Sequence, residues 1–186
     1  TGDTVLVTGA AGAVGLAAVE CAKALGAHVI AVASSDERLA IATEHGADDG
    51  INYTTVSLKE TVKELTGGEG VNVAFDPVMG SLFPDVLSSL AWGGRHVIIG
   101  FAGGEIPKIP SNRLLIKNRR ALGMVMSYYR YRQPLLMQQT VDTLIDWYQS
   151  GKIRPRIAEV GPLEKAPDYL TSIMERKLIG RAILVV

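Results

Sequence analysis

Short, nearly continuous apolar runs alternate along this chain with longer stretches in which apolar residues recur every three or four positions. Runs of the first kind predict buried strands, and stretches of the second kind predict amphipathic helices. Strands are expected at 5–8 ("VLVT"), 28–33 ("HVIAVA"), 50–53, 71–76 ("VNVAFD") and 95–100 ("RHVIIG"), with a sixth at 120–126. A helix over 13–25 ends at Gly26, and one opened by a capping box in "SSDE" (Ser34 as N-cap, Glu37 three residues on) ends at Gly46. Further helices are expected at 57–65, 81–91 and 135–150, while "FAGGEIPKIP" (101–110) holds too much glycine and proline for regular structure. The early strands lack the polar alternation of a half-exposed sheet. The expected fold is therefore α/β, a doubly wound parallel sheet covered on both faces.

Residues 152–186 break this rhythm. "RPRIAEVGPL" reads as a strand and a turn, 164–176 as a helix, and "GRAILVV" as a strand. Six strands already precede them, so this β-α-β tail either extends the sheet edge or belongs to a different sheet.

Composition narrows the class. Lys+Arg and Asp+Glu are balanced at 19 each, which gives no electrostatic reason to expect nucleic acid or an anionic membrane as partner. No apolar run reaches the ~18 to 20 residues of a membrane-spanning helix, and no signal-peptide pattern opens the chain. The cytoplasm is the expected location. Cys21, the sole cysteine, lies among alanines in a predicted helix and reads as a buried structural thiol. His28, His45 and His96 are scattered without metal-ligand spacing and read as surface or loop-end residues.

The candidate chemistry lies in "VLVTGAAGAVG" (5–15). Gly9, Gly12 and Gly15 fall between a strand and a helix, within a βαβ unit of suitable length. Such a loop lets backbone N–H groups approach a pyrophosphate while the helix N-terminus faces the anion. The alternative is a merely structural tight turn. At the end of the second strand an acid would bind the ribose hydroxyls of NAD, whereas a basic residue suits the 2′-phosphate of NADP. Ala33 and Ser34 stand there, Asp36 and Glu37 are accounted for as first-turn residues favourable to the helix dipole, and Arg38 can reach back toward the loop. The pattern favours NADPH, the alternative being a solvated Arg38.

Taken together, residues 2–53, "FDPVMG" (75–80), "GGRHVIIGFAGG" (93–104) and "NRLLIKNRRALGM" (112–124) resemble the cofactor domain of medium-chain dehydrogenases/reductases, closest to the zinc-independent NADPH:quinone oxidoreductase, zeta-crystallin-like branch. The resemblance covers essentially the whole chain. It implies that Ala11, Gly12, Ala13 and Val14 line the pyrophosphate, that Ser34, Arg38 and Tyr53 hold the 2′-phosphate and adenosine end, and that Val78, Phe101 and Ala102 lie along the nicotinamide half. For Tyr53 and Phe101 the alternative is ordinary packing at a strand end. Ala13 departs from the glycine that such loops often carry, and its methyl is expected to weaken the site slightly. The family also implies a GroES-like β domain ahead of the first strand, which supplies most of the substrate cleft. On this resemblance residues 1–151 are the NADP(H)-binding domain, residues 152–186 complete the absent domain, and the chain is a fragment or excised domain, inactive alone. The implied acceptor is a quinone or enone, the implied assembly a homodimer, and no catalytic acid, base or metal ligand is nominated.

Three rivals stand beside this. Tyr148 and Lys152 fit the Y-x-x-x-K of short-chain dehydrogenases, but Gly151 predicts that their helix ends between them. An enoyl-thioester reductase domain of a polyketide or fatty-acid synthase would use a similar NADPH fold. A non-catalytic nucleotide-binding module would share the loop without turnover.

Overall fold

A computed structural model describes residues 2–186. Six parallel strands form one sheet in the order β3-β2-β1-β4-β5-β6, where β1 is Thr4–Thr8, β2 His28–Ala33, β3 Asp49–Asn52, β4 Val71–Asp76, β5 Leu90–Ile98 and β6 Arg120–Gly123. The chain builds outward from β1 through β2 to β3, then returns to the other side of β1 for β4 to β6. The reversal leaves a crevice at the carboxyl ends of β1 and β4, where open α/β sheets bind ligands.

Side chains of successive strand residues point to opposite faces, and the core divides accordingly. Leu6, Ile30, Val32, Ile51 and Ala74 join α3 (Leu58–Leu65) and α4 (Phe83–Ser88) on one face, through Leu58, Val62, Phe83, Val86 and Leu87. Val7, Val29 and Ala31 pack on the other face against Val19 of α1 (Ala13–Ala24) and Ala42 of α2 (Asp36–Glu44). Leu6, Val7, Ile30 and Val32 are wholly buried. Truncating a side chain such as Leu6 or Ile30 to alanine costs ~2–5 kcal/mol, because the sheet cannot collapse into the space.

Several expectations are corrected. The N-cap of α2 is Ser35, whose Oγ accepts from the Arg38 N–H at 3.4 Å, and not Ser34. The helix over 81–91 is a 3-10 turn (Gly80–Leu82) followed by α4, which ends at Ser88. Leu90 joins the sheet opposite Val71, and the register then steps to Arg95 opposite Val73. Gly93, with φ 72°, takes the left-handed bend in that bulge. The sixth strand stops at Gly123 because its partner β5 stops at Ile98, directly opposite. Two short helices were not foreseen, α5 (Ser111–Ile116) and α6 (Met126–Arg132); the latter leads into α7 (Pro134–Gln149).

The tail does not extend the main sheet. β7 (Ile157–Pro162) and β8 (Arg181–Val185) form their own two-stranded parallel sheet, joined through a 3-10 turn and α8 (Ala166–Met174). It is tied to the main sheet's helices at defined points. Glu20 of α1, 5% exposed, accepts from the Arg154 N–H at 3.0 Å and pairs with His45 Nδ1 at 2.7 Å. Gly12 and Gly180 form an isolated parallel bridge.

Candidate cofactor site

The glycine loop is held by its own backbone. After β1 the chain turns through Gly9 at φ 58°, Ala10 N–H donates to Val32 O at 3.2 Å, and Gly12 N–H returns to Gly9 O at 2.9 Å. A side chain at Gly9 would lie 2.9 Å from Val78 Cγ2, and a Cβ at Gly15 would overlap Gly9 O and come within 2.7 Å of Ala10 Cα. Both glycines are required by internal packing. Gly12 is different, since a Cβ there would meet only Gly9 O at 3.4 Å, an ordinary contact. On its Cβ side Gly12 leaves room that the protein itself does not fill. Beside it the N-terminus of α1 has no side-chain cap, so its dipole and first-turn N–H groups are available to an anion. The observed cradle fits a pyrophosphate.

Ala11 is buried beneath the loop at 1% exposure, Gly12 and Ala13 are half-buried, and Val14 is exposed. Ala13 also borders the seam between α1 and the tail, with Leu16, Pro155 and Gly180. At the end of β2, Ser34 is exposed and its carbonyl accepts from Thr54 Oγ1 at 3.5 Å, while Tyr53 packs on the edge of the core. The Arg38 guanidinium does not lie free in solvent, because its Nη2 donates to the carbonyl of Arg176. Past β4, Val78 touches the glycine loop. Ala102 N–H donates to Pro77 O at 3.0 Å and Gly103 N–H to Val78 O at 2.8 Å, bringing Val78 and Ala102 together with the exposed Phe101 beside them.

Two features of the crevice escaped the sequence. Arg176, in the left-handed region at φ 58°, accepts from Arg38 through its carbonyl and donates from Nη2 to Ala102 O at 3.2 Å. It thus spans from the β2 side of the crevice to the β5 side, and nothing in "MERKLIG" signals this. The second is Asp76, the polar residue closing β4, which is wholly buried. Its Oδ1 accepts from Thr8 Oγ1 (2.6 Å), Val78 N–H (3.0 Å) and Met79 N–H (2.8 Å), and its Oδ2 from His96 Nε2 (2.9 Å). Burial alone would raise this carboxyl, but the bonds from His96, Met79 and Thr8 outweigh it and hold the pKa below the usual carboxylate value. His96 is fully buried, not the surface residue expected. Burial and the neighbouring Glu20 both raise the Cys21 thiol, which leaves it protonated and unreactive at neutral pH.

The Y-x-x-x-K rival loses its geometry. α7 ends at Gln149 and Gly151 bends at φ 72°, so Tyr148 and Lys152 do not share a helix face. Among the described residues no three His, Cys, Asp or Glu side chains gather as a metal site, and no helix is long and apolar enough to cross a membrane.

Residues 13–149 match the family model described as zinc-binding dehydrogenase. Among curated proteins, the chain is 46% identical to quinone oxidoreductase-like protein 2 of Rattus norvegicus, over 98% of its own length and 53% of the relative's. It therefore spans about half the length of the curated relatives it matches. Among solved structures it is similar to a mycobacterial protein complexed with NADPH (TM-score 0.91, 30% identity, 100% of this chain and 57% of that one). It is likewise similar to the quinone oxidoreductase of Pseudomonas syringae pv. Tomato DC3000 (TM-score 0.88, 31% identity, 100% and 57%). A family model over most of its length and a fold shared across all of it assign the chain to the zinc-binding dehydrogenase family, within the medium-chain dehydrogenases/reductases.

Proposed function

We propose that this chain is the NADPH-binding part of an oxidoreductase that reduces a quinone or another activated carbonyl or alkene, without zinc. The observation that carries the proposal is the cradle at Gly12. It is a loop held rigid by Gly9 and Gly15, left open where a phosphate would sit, and backed by an uncapped helix N-terminus. Val78, Phe101 and Ala102 at the ends of β4 and β5 would face the nicotinamide half, and Ser34, Arg38 and Tyr53 the adenosine end. The choice of NADPH over NADH is supported by the absence of an acid at Ala33 and Ser34 and by Arg38 in the first turn of α2. Bound NADPH supplies the hydride, so the residues of this chain bind and orient rather than act as acid or base.

The tail sheet exposes Ile157, Val160, Ile183 and Val185, an apolar surface suited to the substrate-binding domain we propose for residues 152–186 to complete. Alone, the chain is then a binding module with little or no turnover. Leu122 of β6, on the sheet edge, and Met124 just beyond the strand are exposed and suit pairing with a second copy, and a cytoplasmic location goes with this reading.

Titration with NADPH and NADH, on the wild type and on Arg38→Ala, tests the assignment. NADPH should bind at least ~10-fold more tightly than NADH, and the substitution should remove most of that preference, as expected for losing a charge-assisted bond to phosphate. Equal affinities that the substitution leaves unchanged would overturn the 2′-phosphate assignment. Oxidation of NADPH by a quinone with this chain alone would overturn its inactivity.

A further inference from the structure

Residues 77–80 and 101–104, the loops that follow β4 and β5, hold one another. Ala102 and Gly103 donate to the Pro77 and Val78 carbonyls, and a Cβ at Gly103 would lie 2.8 Å from Val78 O and 3.2 Å from Gly80 Cα. Within the first loop Met79 stands at φ 56°, a left-handed conformation that a methionine adopts only when its surroundings impose it. The imposing group is Asp76, whose Oδ1 takes the N–H groups of both Val78 and Met79. Asp76 in turn is fixed from two neighbouring strands, by Thr8 at the end of β1 and by His96 within β5.

His96 carries more than a core residue would need to. Its ring is fully buried and stacked on Phe83 with centroids 5.4 Å apart, and its Nδ1 has no hydrogen-bond partner. A buried unpartnered nitrogen costs free energy that a Phe or Leu at this position would avoid. What offsets that cost is Nε2, which donates to Oδ2 of a carboxylate that would otherwise be buried with one oxygen unpaired.

Resting on the NADPH reading above, we infer that His96 and Thr8 are positioning residues for the nicotinamide half of the cofactor site, acting through Asp76 on the strained Val78–Met79 turn and through it on Phe101 and Ala102. They touch no ligand themselves. The hydrogen-bond partners of Asp76 are Thr8, Val78, Met79 and His96, none of them on β2, α2 or β3, and the adenosine end meets the 101–104 loop through Arg176, which joins Arg38 to Ala102.

That separation supplies the test. Affinities for NADPH and for adenosine 2′,5′-bisphosphate, which carries only the adenosine end, are measured on wild type, His96→Phe, His96→Gln and Thr8→Val, each with its thermal midpoint. His96→Phe and Thr8→Val should weaken NADPH by ~10-fold or more while the bisphosphate stays within about twofold. His96→Gln, which keeps a donor for Asp76 Oδ2, should recover most of the NADPH affinity. Parallel loss of both ligands, or NADPH affinity unchanged in Thr8→Val, overturns the positioning role and leaves the cofactor reading intact. If His96→Phe does not fold, Thr8→Val decides alone, because it removes a single Oδ1 donor and is nearly isosteric. A wild type that binds neither ligand overturns the cofactor reading and this inference together.

Discussion

Single residues in the crevice differ sharply in what holds them there. Gly9, Gly12 and Gly15 share one motif, yet Gly15 is fixed by the crossing of helix and loop, Gly9 by its left-handed φ and the nearness of Val78, and Gly12 by neither. A Gly15→Ala substitution puts a methyl into backbone that cannot retreat, and it should destabilise the fold by ~3 kcal/mol or more. Gly12→Ala should leave stability within about 1 kcal/mol and lose affinity for NADPH instead. Chemical denaturation and cofactor titration of the two variants separate these outcomes; equal destabilisation would show that Gly12 too is a packing glycine. The spacing of the three glycines was legible in the sequence. Their separate reasons were not, because each depends on atoms brought near by β4 and by the loop's own fold.

At the scale of elements, the strands read well wherever a strand is buried on both faces, since a continuous apolar run has no competing explanation. The errors gather at ends. Ser34 and Ser35 are both competent caps, and the choice between them is made where β2 stops pairing with β3 at Ala33 and Asn52. Ser35→Ala should therefore cost ~1 kcal/mol of stability, while Ser34→Ala should cost almost nothing, as measured by thermal or urea midpoints. The reverse order would return the cap to Ser34. Leu90 and Ala91 read as helix because their apolar character fits either element, and pairing of Leu90 with Val71 decided the matter. The short helices α5 and α6 bury none of their residues and so carry no strong periodic signal.

For the molecule as a whole, Asp76 joins three strands through side chains, and its protonation is a matter of global stability. Its folded pKa lies below the ordinary carboxylate value, so the native state holds the proton less tightly than the unfolded chain does. The contribution is complete above the ordinary aspartate range, including neutral pH, and is lost as pH falls through the lowered folded value. Unfolding midpoints taken from about pH 7 down to about pH 3 should decline more steeply for wild type than for Asp76→Asn, which has no such proton to take up. Identical acid profiles for the two proteins would remove Asp76 from the account.

The layered α/β architecture, the glycine loop between β1 and α1, and the residue types available at the end of β2 follow from the order of residues alone. Hydrophobic period, turn residues and the spacing of a motif are local properties, readable without knowing which strand lies beside which. Three features come from the folded arrangement instead: residues 157–185 form a sheet of their own, Arg176 spans the crevice from Arg38 to Ala102, and Asp76 is anchored by Thr8 and His96. Each of those contacts joins residues distant in sequence, or selects one partner among several of equal chemistry. Chain order cannot express that choice; packing around the reversal of the sheet makes it.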